Sequence, residues 1–283
     1  MIKISPFVPL HFDDGIVSDG LPSRYVQLFA TTDQIMVQVL ADSGDTPSDA
    51  SLKDAHSGNV LGTIAWNVWT MNSVKSCYFL RLQGLSPGHY VLNVLGVDSD
   101  EFIVTDDEQL LGRTTLIQYR FKDNRQRDDV VSVIDYMPYF FDFRVPGGFK
   151  DSGWTFGVSN EQFVTQHEDV VELFAMDYVT KTFTMGGPEG VPVWYGELLN
   201  RLLTCSYVYF DGRRYNRNES EAPSLTTLVD GMDSFVFTQS LRRVNELEPA
   251  ADGGNIITLR RVTGNNVRMV DNSNILILEQ TQL

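Results

Sequence analysis

The sequence is poor in the residues that most often carry chemistry. Its 283 residues include two cysteines and four histidines. Cys77 and Cys205 lie far apart, each in an apolar context (S-C-Y-F-L and L-L-T-C-S-Y), and two buried free thiols are favoured over a disulfide. His11, His56, His89 and His167 show no H-x-H, H-E-x-x-H or C-x-x-C spacing, so no metal or cofactor is expected. His167 stands beside Glu168 and Asp169, a lone constellation that reads as a solvated loop. No G-x-S-x-G or S-x-x-K nucleophile motif is present. Gly186 to Gly190 lacks a G-K-[ST] ending and reads as a connection, not a phosphate cradle. The carboxylate runs Asp13-Asp14, Asp106-Asp107-Glu108 and Glu168-Asp169 are sequence neighbours, which point to opposite faces of a strand and make poor catalytic dyads. Asp98, Asp100 and Asp106 to Glu108 match no calcium-loop spacing. No catalytic residues are assigned, and the chain is not expected to be an enzyme.

Positive charge is scarce too. Twenty-two basic side chains face 37 acidic ones, for a net charge of −15, which disfavours general binding to phosphate backbones. No apolar run approaches the ~20 residues of a membrane span, and the start M-I-K-I-S-P-F-V-P-L lacks a charged-then-apolar leader pattern. No membrane partner is expected, and an extracellular role would need lysis, a dedicated apparatus or assembly into a particle.

What is present is β-strand material. An apolar share of 42% with 21% charged residues fits a folded globular protein, and the aromatics (Phe 17, Tyr 11, Trp 4) suit sheets. One helix is written clearly, at about 191–204. Pro192 suits a first helical position, and Trp194, Leu198 and Leu202, with Tyr195, Leu199 and Leu203 beside them, form a broad apolar face. A hairpin follows at once, with Asp211-Gly212 as its two-residue turn, so residues 190–217 form a helix–hairpin unit.

Elsewhere short alternating runs, separated by turn residues, predict a mainly β fold with two β-rich domains. Residues 1–108 read as an immunoglobulin- or fibronectin-like β-sandwich, with residues 41–59 as a long exposed loop. The stretch L-S-P-G-H-Y at 85–90 resembles the corner that opens a late strand of such sandwiches, Tyr90 returning its hydroxyl to nearby backbone. Residues 109–283 read as a β-sandwich or open barrel carrying the helix–hairpin unit. Within them P-G-G-F-K at 146–150 predicts a turn, and a further turn is expected at Tyr178-Val179.

Three residue groups are candidates for binding. Tyr136, Tyr139, Phe140, Phe141 and Phe143 cannot all point inward on one strand, so part of this cluster should form an interface. Arg213 and Arg214, beside the Asp211-Gly212 turn, are candidate interface cations facing an acidic partner. Trp66 and Trp69 are the candidate sugar-stacking platform, weighed against a role in the sandwich core.

The segments T-T-L-I-Q-Y-R-F-K-D-N-R (114–125), F-D-F-R-V-P-G-G-F-K (141–150), S-N-E-Q-F (159–163) and V-P-V-W-Y-G-E-L-L-N-R-L-L are similar to proteins of tailed phages and prophages of gut Bacteroidales that are encoded among virion structural genes. The resemblance covers the last three-fifths of the chain. It implies a tail, neck or baseplate component in a symmetric ring, whose partners are itself and other virion proteins, located in the virion after assembly in the host cytoplasm. It brings no catalytic residues. A carbohydrate-binding or host-recognition sandwich is the alternative, with a glycan as possible ligand, and a glycan-active enzyme ranks third.

Overall fold

The computed structural model describes residues 2–12, 21–164, 170–218 and 222–244, together with the backbone of three strands between 258 and 278. Backbone contacts divide the chain into two compact units, Met1–Val244 and Asn245–Leu283. The boundary expected after Glu108 therefore falls inside the first unit.

The first third runs β1 (Ile2–Ile4), β2 (Gln27–Ala30), β3 (Ile35–Asp42), β4 (Ala50–Asp54), β5 (Val60–Ile64), β6 (Asn67–Thr70), β7 (Lys75–Leu82), β8 (Gly88–Val94), β9 (Val97–Asp98) and β10 (Phe102–Thr105). These strands form two sheets, ordered β1-β3-β7-β6 and β2-β10-β8-β4-β5, with β9 paired to β8. All pairs within them are antiparallel except β2 with β10. Phe29, Val37, Val39, Leu52, Leu80, Leu92, Phe102 and Val104 from the two sheets share one core, which makes the region a β-sandwich. The stretch expected to be one long loop contains β4. Its polar letters hid A-S-L, in which Ala50 and Leu52 are buried.

Strand β3, I-M-V-Q-V-L-A-D, is buried from Ile35 to Ala41 and apolar there except at Gln38, because both of its faces are covered. Ile35, Val37 and Val39 face the sandwich core, while Met36 and Leu40 belong to clusters that include residues beyond position 117. Gln38, fully buried between them, donates from Nε2 to the Val131 carbonyl (2.6 Å) and accepts the Val131 N–H (2.9 Å). A buried amide satisfied on both sides fixes the position of the second layer on this sheet.

After α1 (Glu108–Leu111), capped by Asp107, come β11 (Thr114–Arg120), the short pair β12 (Val133–Ile134) and β13 (Met137–Pro138), then β14 (Phe141–Val164), β15 (Val170–Met185), α2 (Val193–Leu202), β16 (Tyr207–Phe210), β17 (Arg213–Arg217), β18 (Ser224–Thr227) and β19 (Phe235–Arg243). The seven-stranded sheet runs β15-β14-β11-β16-β17-β19-β18, and β15 also pairs β19. The sheet therefore closes on itself into a ring, in place of an open barrel, with β18 following β17 along the same edge of β19. Closure removes most of the exposed edges that an open sheet would leave.

Helix α2 packs on the same core. Tyr195, Leu198, Leu199 and Leu202 are buried among Phe143, Val191 and Phe237. Ten residues are too few for a helix stable alone, so this packing holds it. Its first amide, Val193 N–H, donates to Asp233 Oδ1 at 2.9 Å, a cap supplied by a distant loop because Pro192 has no side-chain acceptor. Gly196 lies where the helix crosses Phe237, and a Cβ there would stand 2.1 Å from the ring. The expected hairpin follows as β16 and β17, with Asp211 (φ 46°) and Gly212 (φ 74°) both left-handed, as a type I′ turn requires.

The two turns expected at 146–150 and at Tyr178-Val179 are absent, since β14 and β15 run straight through them. Gly147 (φ 119°) takes a conformation open to glycine, and a side chain there would meet the Thr184 carbonyl. The register with β15 stays continuous through it, Gly147↔Met185 to Phe149↔Phe183, and shifts only between Phe149 and Trp154. The second unit is a three-stranded antiparallel sheet, β20 (Thr258–Val262), β21 (Asn266–Val270) and β22 (Ile275–Leu278).

Candidate assembly surface

The longest strands of the ring overshoot it. β14 pairs β11 only through 141–146, and β15 pairs β19 only through 180–185. Beyond those limits β14 and β15 pair only with each other among the described residues, from Phe156↔Val179 out to Val164↔Val170. The result is a two-stranded arm whose outer part extends roughly 30 Å at about 3.3 Å per residue. Residues 165–169, and with them His167, lie outside the described residues.

The arm is apolar where a solvated ribbon would be polar. Phe156 is 75% exposed, and Trp154, Val158, Phe163, Val170, Leu173 and Met176 are exposed beside it. Trp154, Phe156 and Val158 alternate along β14 and so share one face. Val179, directly opposite Phe156, shares that face as well. On the other face Gly157 leaves room for the Tyr178 ring, which lies across it with the Arg242 guanidinium 4.2 Å from its centroid. At the base, Lys181 Nζ stands 3.6 Å from the Trp154 ring centroid. The base is thus stitched to the ring by cation–π contacts, while the outer part offers unpaired strand edges and bare apolar side chains. Two-stranded ribbons are marginal in water, which makes this exposed apolar patch the candidate contact surface.

The structure sorts the candidates read from sequence. Tyr136 is 98% exposed, at the left-handed tip of the β12–β13 hairpin (φ 66°). Tyr139 is half-buried under the Arg81 guanidinium, and Phe140 lies edge-on to Tyr209. Phe141 and Phe143 are core residues of the ring, Phe141 stacked on Tyr119. Of that cluster Tyr136 is the one fully exposed, and Tyr139 and Phe140 keep part of their surface. Arg213 is exposed. Arg214 is half-buried, its guanidinium 4.5 Å from the Tyr207 ring, which also carries Arg120 at 4.3 Å. Burial lowers the Arg120 pKa, with Arg214 adding to the effect.

Trp66 and Trp69 pack against different cores, and Trp66 Nε1 donates to the Ser48 carbonyl at 2.8 Å. Among the described residues no ring contact joins them into a platform. Trp69 does line a cleft with Asn72, Asn124, Gln126 and Asp128. Two of the acidic residues weighed as calcium ligands have other work. Asp98 pairs with Lys53 (2.7 Å), which with Asn93 lowers its pKa, and Asp107 caps α1. Cys77 and Cys205 are both buried and free, with thiol pKa values pushed up to about 12 by burial.

Sequence reasoning missed the arm because its strands look like two ordinary hairpins interrupted by turn letters. The legible signal was the alternation W-T-F-G-V, apolar on one face with nothing nearby in sequence to cover it. It also missed one convergence of metal-ligand side chains, His56, His89 and Glu101 on the sandwich. No described helix is long and apolar enough to cross a membrane. No protein-family model, no curated protein and no solved structure matches this chain.

Proposed function

We propose that the chain is a structural protein of a tailed-phage virion, a tail, neck or baseplate component that assembles with copies of itself into a symmetric ring. The observation that carries the reading is the arm. A ribbon of exposed Phe156, Val158, Phe163 and Leu173 beyond a closed barrel gains stability when a neighbouring subunit covers it. The sequence resemblance to phage virion proteins supplies the setting. Within this reading the sandwich is immunoglobulin-like. In support, β1-β3-β7-β6 matches the A-B-E-D order of such sheets and β10-β8-β4 matches G-F-C. The Tyr90 hydroxyl donates to the Ser86 carbonyl at 2.8 Å, as in a tyrosine corner. Leu92, buried two residues later, stands where antibody domains keep a cysteine.

The test is native mass across a concentration series, with negative-stain imaging, for the wild-type chain and a Phe156→Ser/Leu173→Ser variant. Closed oligomers that dissociate in the variant support the proposal. A wild-type chain that stays monomeric throughout, and is missing from virions of its source, defeats it. A second reading, carbohydrate binding by the sandwich, draws on the cleft where Trp69 meets two asparagines, a glutamine and an aspartate, a combination suited to sugar hydroxyls and faces. A glycan array that stays blank with wild type removes that reading.

A further inference from the structure

We propose that His56, His89 and Glu101 form a binding site for a divalent transition-metal ion, with zinc the best-matched member. The three come from sequence positions too distant to form a motif, and adjacent strands bring them together. In the sheet order β10-β8-β4, Glu101 immediately precedes β10, His89 lies on β8 and His56 sits in the turn that follows β4. Their potential ligand atoms all lie within 4.8 Å of one another. His89 Nδ1 and Glu101 Oε1 are 2.5 Å apart, and the His56 and His89 rings meet edge-to-face with centroids 4.4 Å apart.

Two imidazoles and one carboxylate suit a borderline ion such as zinc and poorly suit magnesium or calcium, which prefer all-oxygen shells. Metal–ligand bonds of ~2.0–2.2 Å in a tetrahedral shell set ligand atoms ~3.3 Å apart, so an ion entering here opens the His89–Glu101 contact by less than ~1 Å. All three residues retain solvent access, so the ion has an entry path and at least one coordination position remains for water.

The backbone already holds the ligands in place, which a chance surface encounter would not require. Asp54 Oδ1 accepts both the Ser57 N–H and the Ser57 hydroxyl at 2.7 Å, closing the turn around His56. Gly58 N–H donates to the Asp54 carbonyl at 2.9 Å, with Gly58 at φ 69°. Ala55 N–H donates to the carbonyl of His89 itself at 3.0 Å, tying the turn that carries one ligand to the strand that carries the next. His89 is set in turn by pairing with Ile103 on β10, two residues after Glu101. These bonds fix the backbone positions from which His56 and His89 project before metal arrives. The site is independent of the arm and of the assembly reading.

The experiment is isothermal titration of the metal-stripped full-length protein with Zn²⁺, then with Mg²⁺ as control, for wild type, His56→Ala and Glu101→Gln. His56 is an exposed turn residue, so its replacement leaves the fold intact, and far-ultraviolet circular dichroism checks this. One zinc per chain is expected, with affinity lowered at least about tenfold in each variant and no matching Mg²⁺ heat. Zinc binding of equal strength in wild type and both variants would overturn the proposal, because the general acidity of the chain would then account for it. So would the lack of any zinc heat in wild type, or a Mg²⁺ isotherm of the same strength and stoichiometry.

Discussion

Replacing Asp33 by Asn should cost about 3 kcal/mol of folding stability, because this side chain neutralises the arginine that fastens the barrel to the sandwich. Asp33 follows β2, 2% exposed, and its Oδ2 accepts the Ala30 N–H at 2.8 Å and Arg144 Nε at 2.6 Å. Oδ1 accepts a second Arg144 nitrogen at 2.8 Å, so the pair is bidentate. Arg144, on β14 and 12% exposed, spends its remaining nitrogen on Thr114 Oγ1 at 3.1 Å. Burial works to lower the Arg144 pKa, but the Asp33 hydrogen bonds and charge outweigh it and the net shift is upward. Removing one member of a buried pair strands the other charge, at ~3–5 kcal/mol. Asparagine keeps one acceptor oxygen, which argues for the lower end. At ~2–4 °C per kcal/mol for a chain of this size, the melting temperature should fall by roughly 6–12 °C. Urea melts of Asp33→Asn, Arg144→Met and the double variant supply the assay. The double variant should lose less than the sum of the singles, since it leaves no orphaned charge. Asp33→Asn within ~0.5 kcal/mol of wild type, or strict additivity, would refute the reasoning.

Gly196→Ala should destabilise by about 1–3 kcal/mol, through overpacking of α2 on Phe237. A chemical melt measures this, and no loss would mean the helix shifts freely. Tyr90→Phe should cost about 1 kcal/mol, the net worth of its bond to the Ser86 carbonyl, again read by urea melts, with a neutral result denying the corner any role. Asp142 gives a pH signature. Burial raises its pKa, against the Gln118 and Gln34 hydrogen bonds that lower it, so the folded state holds its proton more tightly than the unfolded one. Its contribution therefore grows as pH falls through the raised value towards 3.8 and is flat above. The stability of wild type relative to Asp142→Asn should accordingly rise between pH 7 and about pH 4. A difference that shrinks on acidification would contradict the assignment.

Where chemistry is local, the sequence was legible. Pro192, the spaced leucines and Asp211-Gly212 foretold α2 and the β16–β17 hairpin, and Tyr90 foretold its own hydrogen bond, because each depends on residues within a few positions. Where the decisive partner is distant, it was not. The A-S-L of β4 looked like loop until its pairing with β8 buried Ala50 and Leu52. Pro146, Gly147 and Gly148 looked like a turn until β15 ran alongside.

By itself, then, the sequence determined that this is a mainly β protein, where its longer helix α2 lies and which face of that helix is buried. Tertiary structure alone decided that β15 meets β19 to close the barrel, that Phe141 is buried while Phe156 is bare, and that His56, His89 and Glu101 converge. The reason is physical. Turns and helix faces are set by steric and hydrogen-bond preferences within a few residues, whereas strand partners and exposure follow from which distant apolar faces meet when the chain folds.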